Sequence, residues 1–203
     1  MAMLPHHGGL PHHGGLPQHG GYAPDGLTVA DVRAGYDPGF RYELEDGVAV
    51  MMASASVWHN RVLRRLTVAM EALCPSDLAV EMEQAIEIAD DFAPIPDILV
   101  IESAAANPTE NVIPKSAVRL AVEIVSPGTR RKDRWIRPVD YAQAGIPFFW
   151  RIESENFEPV VYSFHLDEAS KTYEPTEPTA VHHEVLRMSD PFEMEIKLTG
   201  LGR

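Results

Sequence analysis

The stretch Val118-Arg119-Leu120-Ala121-Val122-Glu123-Ile124-Val125 constrains the fold more than any other part of the chain. A nearly continuous apolar run of this length suits a β-strand covered on both faces, and so a sheet held between two layers. Glu123 interrupts the run. A carboxylate buried in such a strand is costly unless a partner neutralises it. A second acid, Asp97, opens the apolar run Ile98-Leu99-Val100-Ile101, 26 positions earlier. One buried acid is commonly half of an ion pair. Two acids on separate core strands also suit a shared site for a hard cation such as Mg²⁺. On these residues alone both readings stay open.

Charge narrows the partners. The net charge of −13 argues against binding nucleic acid over the whole surface, because phosphate contacts need Lys and Arg. The 17 Lys and Arg are unevenly spread, however. Arg130, Arg131, Lys132, Arg134 and Arg137 fall within eight positions directly after the Glu123 strand. Such a run is either a solvated helix face or a phosphate-binding rim, and its place beside the carboxylates favours the rim. A chain of 203 residues with 45% hydrophobic content fits one domain plus an appendage. No apolar run approaches a membrane span, and no basic segment followed by an apolar one opens the chain. The lone cysteine, Cys74, cannot form an internal disulfide, so a reducing, cytoplasmic setting is expected.

Residues 4–21 are three near-copies of one hexapeptide, Leu-Pro-His-His-Gly-Gly, with Gln18 replacing one histidine. Gly and Pro at this density cannot pack a core, so residues 1–27 are expected to be a disordered tail and 28–203 one domain. The pattern then predicts a short helix over 28–35 and a hairpin over 40–52 turning at Asp46-Gly47. A helix follows over 56–73, its apolar stripe drawn from Val57, Val62, Leu63, Leu66, Val68, Met70 and Leu73. His59, near its start, either faces a site or, as is commoner for such a histidine, takes a surface or capping position. An alternating strand runs over 79–88, with Gln84 on its apolar face and in need of a partner. A helix over 130–144, a buried strand over 147–152 and an antiparallel pair over 160–165 and 171–174 complete the domain, with short edge elements to the end. His182 and His183 receive no role. There is no nucleophile elbow, phosphate loop, Gly-rich dinucleotide turn or zinc spacing.

Several short stretches together carry a resemblance. They are Tyr42-Glu43-Leu44 with Asp46-Gly47; Pro96-Asp97-Ile98; Val122-Glu123-Ile124-Val125-Ser126-Pro127; Arg131 and Asp133; and Tyr141-Ala-Gln-Ala-Gly-Ile-Pro-Phe-Phe-Trp150. In this order, across about residues 40–165, they resemble the Uma-type restriction endonuclease family, a branch of the PD-(D/E)XK nuclease fold. The resemblance implies an α+β fold with a central mixed sheet flanked by helices. It implies a metal-dependent DNA endonuclease acting as a homodimer. Asp97 and Glu123 would hold Mg²⁺, or Mn²⁺, and Glu43 would complete the site, which moves Glu43 from a solvent face to a cleft. Arg130, Arg131 and Arg134 would meet DNA phosphates.

The cation is where the chain departs from the pattern. The lysine usual two residues after the glutamate is here Val125, and the family's lysine on the next helix corresponds to Arg137. Arginine can hold phosphate but cannot serve as a base. The adjacent Pro138 biases Arg137 away from helical dihedrals, so the helix is expected to kink or start there. Lys132 is the only lysine close enough in sequence to substitute. Two functional classes follow: an active metal-dependent endonuclease, or a catalytically degenerate nuclease fold that binds nucleic acid or protein. A third reading, a structural ion-pair network, requires Glu123 to contact an arginine directly.

Overall fold

The computed structural model describes residues 26–203. The hexapeptide repeats lie outside the described residues. Packing is already under way at Leu27, which is buried and whose N–H donates to Gly47 O.

Helix α1 (Val29–Arg33) is short and closed at its start by a capping box, Thr28 with Asp31. Strands β1 (Tyr42–Glu45) and β2 (Val48–Met51) form the expected hairpin. Asp46 and Gly47 both take positive φ at its tip, as a two-residue hairpin turn requires. Helix α2 (Val57–Glu71) follows, then β3 (Leu78–Met82), β4 (Ala85–Glu87), β5 (Ile98–Glu102), β6 (Val112–Pro114) and β7 (Val118–Ile124). A π-turn (Lys132–Ile136) leads into α3 (Arg137–Gln143). The remainder is β8 (Phe148–Glu155), β9 (Glu158–Asp167), β10 (Thr172–Pro175), β11 (Val181–His182), β12 (Val185–Met188) and β13 (Met194–Lys197).

The central sheet runs β10-β9-β8-β7-β5-β3, with β11 paired to the outside of β9. Only β7 and β8 are parallel, because the chain leaves β7, crosses through α3 and returns beside it. The sheet is therefore mixed, as the sequence leads one to expect. Its two faces divide β7. Leu120, Val122 and Ile124 pack with Val62, Leu66 and Met70 of α2 and with Leu186 and Ile196 of the β12–β13 hairpin. Ala121 faces the other way, into a core with Tyr141 and Phe149. Glu123 alternates onto this α3 side. A smaller core of Leu27, Val29, Leu44, Ala85, Ala93 and Val112 ties the first hairpin to β4 and β6.

Two expectations about periodicity need correction. The stripe on α2 is narrower than predicted: His59, Val62, Leu63, Leu66, Thr67 and Met70 are buried, whereas Val57, Val68 and Leu73 are exposed. The strand over 79–88 is broken. Glu83 adopts φ 53°, its N–H donates to Asp97 O at 3.1 Å, and its carboxylate pairs with Arg41. This bend sends β3 to β5 and β4 to β6, in different sheets, and leaves Met82 exposed. Gln84 lines a hollow with Tyr36 and Tyr42, apart from the cleft that holds Asp97 and Glu123. No helix among the described residues is long and apolar enough to cross a membrane.

Candidate active site

Asp97 sits at the mouth of β5, where its backbone N–H donates to Val122 O at 3.1 Å and its Oδ2 accepts from Ile124 N–H at 2.6 Å. The carboxylate is thus pinned across the end of β7. Glu123 is 6% exposed, and its Oε1 accepts the Tyr141 hydroxyl at 2.6 Å. Burial pushes the Glu123 carboxyl well above the usual range, reinforced by the negative charges of Asp133 and Asp97, against the pull of Arg137. A cleft of about 550 Å³ opens here, lined by Glu43, His59, Asp97, Glu123, Lys132, Asp133 and Arg137.

The helix after β7 supplies the cations. Its N–H ladder widens at Lys132–Ile136, where Arg137 N–H reaches back five residues to Lys132 O. Pro138 accounts for the wider turn, since its ring would collide with the carbonyl four residues back in a regular α-helix and it has no N–H to donate. Arg137 itself is helical, at φ −54° and ψ −42°. The expected bias away from helical dihedrals is absent, because the strain is taken up one turn earlier. Five-residue spacing aligns Lys132 and Arg137 on the same side of the helix.

Both cations meet the first hairpin. Arg137 is 1% exposed; its Nη2 donates to Glu43 Oε2 at 2.6 Å and to Glu45 Oε1 at 2.9 Å. Lys132 Nζ donates to the same two atoms at 2.9 and 2.5 Å. Burial opposes the Lys132 charge, but Glu45 and Glu43 outweigh it and hold the ammonium above its usual range. The Arg137 guanidinium is raised as well, burial again being overcome, here by Tyr141, Glu43, Glu123 and Glu45. Neither group can give up its proton near neutral pH. Glu43 Oε1 accepts Ile95 N–H at 3.0 Å, so both of its oxygens are engaged. Arg137 Nε stands 4.0 Å from Glu123 Oε1, at the limit of an ion pair.

Two further cleft residues, His59 and Asp133, and the core residue Tyr141 behind Glu123 are assigned no role by the sequence pattern. His59 is 6% exposed, with Nε2 3.0 Å from Asp97 Oδ1. The expectation of a surface or capping position is therefore overturned: the histidine lies on the buried stripe of α2, three residues before Val62 and four before Leu63. Asp133 is 3% exposed. Burial pushes its carboxyl up to about 7; the Thr129 hydrogen bond opposes this and the Asp97 charge adds to it. Tyr141, which enters the sequence argument only within the resemblance, braces Glu123. An acid and a tyrosine eight apart on one predicted helix, facing an acid on the preceding strand, were the available signal.

The basic run does not act as one group. Lys132 and Arg137 enter the cleft. Arg130 and Arg131 are exposed just before them, with no ion pair among the described residues. Arg134 turns away, its Nε 3.0 Å from Glu153 Oε1, and lines a separate groove with Trp135 and Tyr173.

Among the described residues, no three His, Cys, Asp or Glu side chains form a ready metal cage. Mg²⁺ does not need one, since it commonly takes one or two carboxylates and completes its shell with water and substrate phosphate. Asp97 and Glu123 fit that requirement. Each is an oxygen donor with acceptor capacity to spare, and mutual repulsion with Asp133 is what a bound cation would relieve.

Comparison with known proteins agrees with this fold. The sequence profile described as "Uma2: Putative restriction endonuclease" matches residues 29–199. Among solved structures, the chain is similar to a crystal structure of a putative nuclease belonging to DUF820 from Anabaena variabilis. The TM-score is 0.64 at 14% identity, covering 87% of this chain and 97% of that one. No curated protein matches the chain.

Proposed function

This chain belongs to the Uma2 family of putative restriction endonucleases, and from that membership we propose a metal-dependent endonuclease that hydrolyses phosphodiester bonds in DNA. The observation carrying the proposal is the convergence of Asp97, Glu123, Lys132 and Arg137 on one cleft. Asp97 and Glu123 would hold Mg²⁺, or Mn²⁺. When bound, the ion would supply a more acidic water and charge neutralisation at the phosphate. The chain's own residues do the rest. Arg137 and Lys132, both fixed as cations, face the charge of the scissile phosphate. Glu43, with Glu45, holds those two cations in place. Asp133 lines the same cleft beside these groups. Arg130 and Arg131, outside the cleft, meet flanking phosphates. Cutting both strands of a duplex calls for two such clefts, and so for a homodimer.

A second reading rests on one observation: both cleft cations are already paired with Glu43 and Glu45. A site closed on itself in this way suits a degenerate nuclease fold that binds nucleic acid without cutting it. Plasmid and single-strand cleavage in Mg²⁺ or Mn²⁺, beside EDTA and Asp97→Ala controls, separates the two. Metal-dependent nicking lost in Asp97→Ala supports the endonuclease. Absence of cleavage, with intact folding and retained DNA binding, supports the binding module.

A further inference from the structure

We infer that His59 is a positioning residue for Asp97, its Nε2–H holding Oδ1 so that the carboxylate presents a fixed face to the metal. The inference rests on the endonuclease reading above.

The geometry is specific. Ser56 Oγ accepts His59 N–H at 3.1 Å, which closes the first turn of α2 and fixes where the ring starts. Val62 and Leu63, one turn on, anchor the helix in the core. The ring then reaches Asp97 Oδ1 at 3.0 Å while Ile124 N–H holds Oδ2 at 2.6 Å. Donors from two elements, a helix and a strand, grip the two oxygens separately. The carboxylate cannot rotate, and each oxygen keeps acceptor capacity for a cation.

The other ring nitrogen argues the same way. His59 Nδ1 is buried, with the Asn60 side chain as its neighbour in the chain. A ring with two polar nitrogens is a poor choice for filling space alone, and an apolar residue would serve that purpose better. The ion pair that the ring does make is the one to Asp97. Partners of metal ligands that fix their orientation commonly change metal affinity by about 10- to 100-fold when removed.

The test compares Mn²⁺ binding by calorimetry in wild type, His59→Ala, His59→Gln and His59→Asn, with denaturation midpoints measured in parallel. A glutamine amide can place its nitrogen near the position of Nε2; asparagine is too short. His59→Ala and His59→Asn are expected to weaken Mn²⁺ binding about 10- to 100-fold, and His59→Gln to recover most of it. If His59→Ala does not fold, the Gln and Asn pair carries the comparison. Equal Mn²⁺ affinity in wild type and the Ala or Asn variant overturns the inference while leaving the endonuclease reading intact. So does a Gln variant no better than Asn. A wild-type chain that binds no Mn²⁺ defeats the endonuclease reading and this inference together.

Discussion

Arg137 Nη2 lies 2.6 Å from Glu43 Oε2, a contact between residues 94 positions apart that bolts the first hairpin to the helix after β7. The guanidinium is buried among Glu43, Glu45 and Asp140, with Phe92 beneath it at 5.7 Å. Replacing Arg137 by Met leaves Glu43 buried without its closest cation, and a loss of about 3–5 kcal/mol is expected. Arg137→Lys keeps the charge but loses the fork that spans two carboxylates, and should cost less than the methionine variant. Urea denaturation of both variants checks the order.

Asp133 makes stability depend on pH. Its folded carboxyl is pushed up to about 7 from an ordinary 3.8. Between these values the folded protein holds a proton that the unfolded chain has released. The Asp133 contribution to metal-free stability therefore falls as pH rises from about 4 to about 7, then levels off. Asp133→Asn removes this contribution. It should match wild type at pH 4 and exceed it at pH 8 by about 2–4 kcal/mol, because each tenfold change in proton affinity is worth roughly 1.4 kcal/mol. Thermal melts at both pH values in EDTA give the answer, and equal melts at pH 8 would contradict it.

Tyr141→Phe deletes the 2.6 Å hydrogen bond to Glu123 and should cost about 1–2 kcal/mol. The hydroxyl favours the charged carboxylate, so its loss drives the Glu123 carboxyl higher still. If Glu123 ligates metal, binding must then expel more proton. Calorimetry in two buffers of different ionisation enthalpy should show greater proton release for the variant at pH 7.

The arginines outside the cleft should behave differently from one another. Arg131 is exposed and Arg134 is bonded to Glu153. Arg131→Ala is expected to weaken DNA binding and lower the salt slope by about 1, whereas Arg134→Ala leaves both unchanged. Binding titrations across a range of salt concentrations distinguish the two.

Much of this was legible in the chain. The apolar run around Glu123 announced a doubly covered strand, and Asp46-Gly47 announced the hairpin. The two acids, the hairpin glutamate and the downstream cations do share a cleft. Other features could not be read, for identifiable reasons. Glu83 breaks an alternating strand through a left-handed backbone and an N–H bond to Asp97 O, a tertiary contact that periodicity does not encode. His59 was misplaced because a histidine near a helix start more often caps or faces solvent, although its spacing of three and four from Val62 and Leu63 put it on the apolar stripe. The expected helix start at Arg137 is found, but its dihedrals were misjudged because Pro138 was weighed against an α-helix alone. A π-turn satisfies both residues.

That turn makes the segment sensitive to length more than to composition. The wider turn accommodates one residue beyond what a regular α-helix of the same rise would hold. A single deletion among Arg134, Trp135 and Ile136 would let the helix relax to ordinary winding, with Lys132 and Arg137 four residues apart and still on one side. An insertion has no such outlet, because the turn already holds its extra residue, and would rotate Arg137 away from Glu43. Lengthening is then the forbidden kind of change here, and shortening by one the tolerated kind.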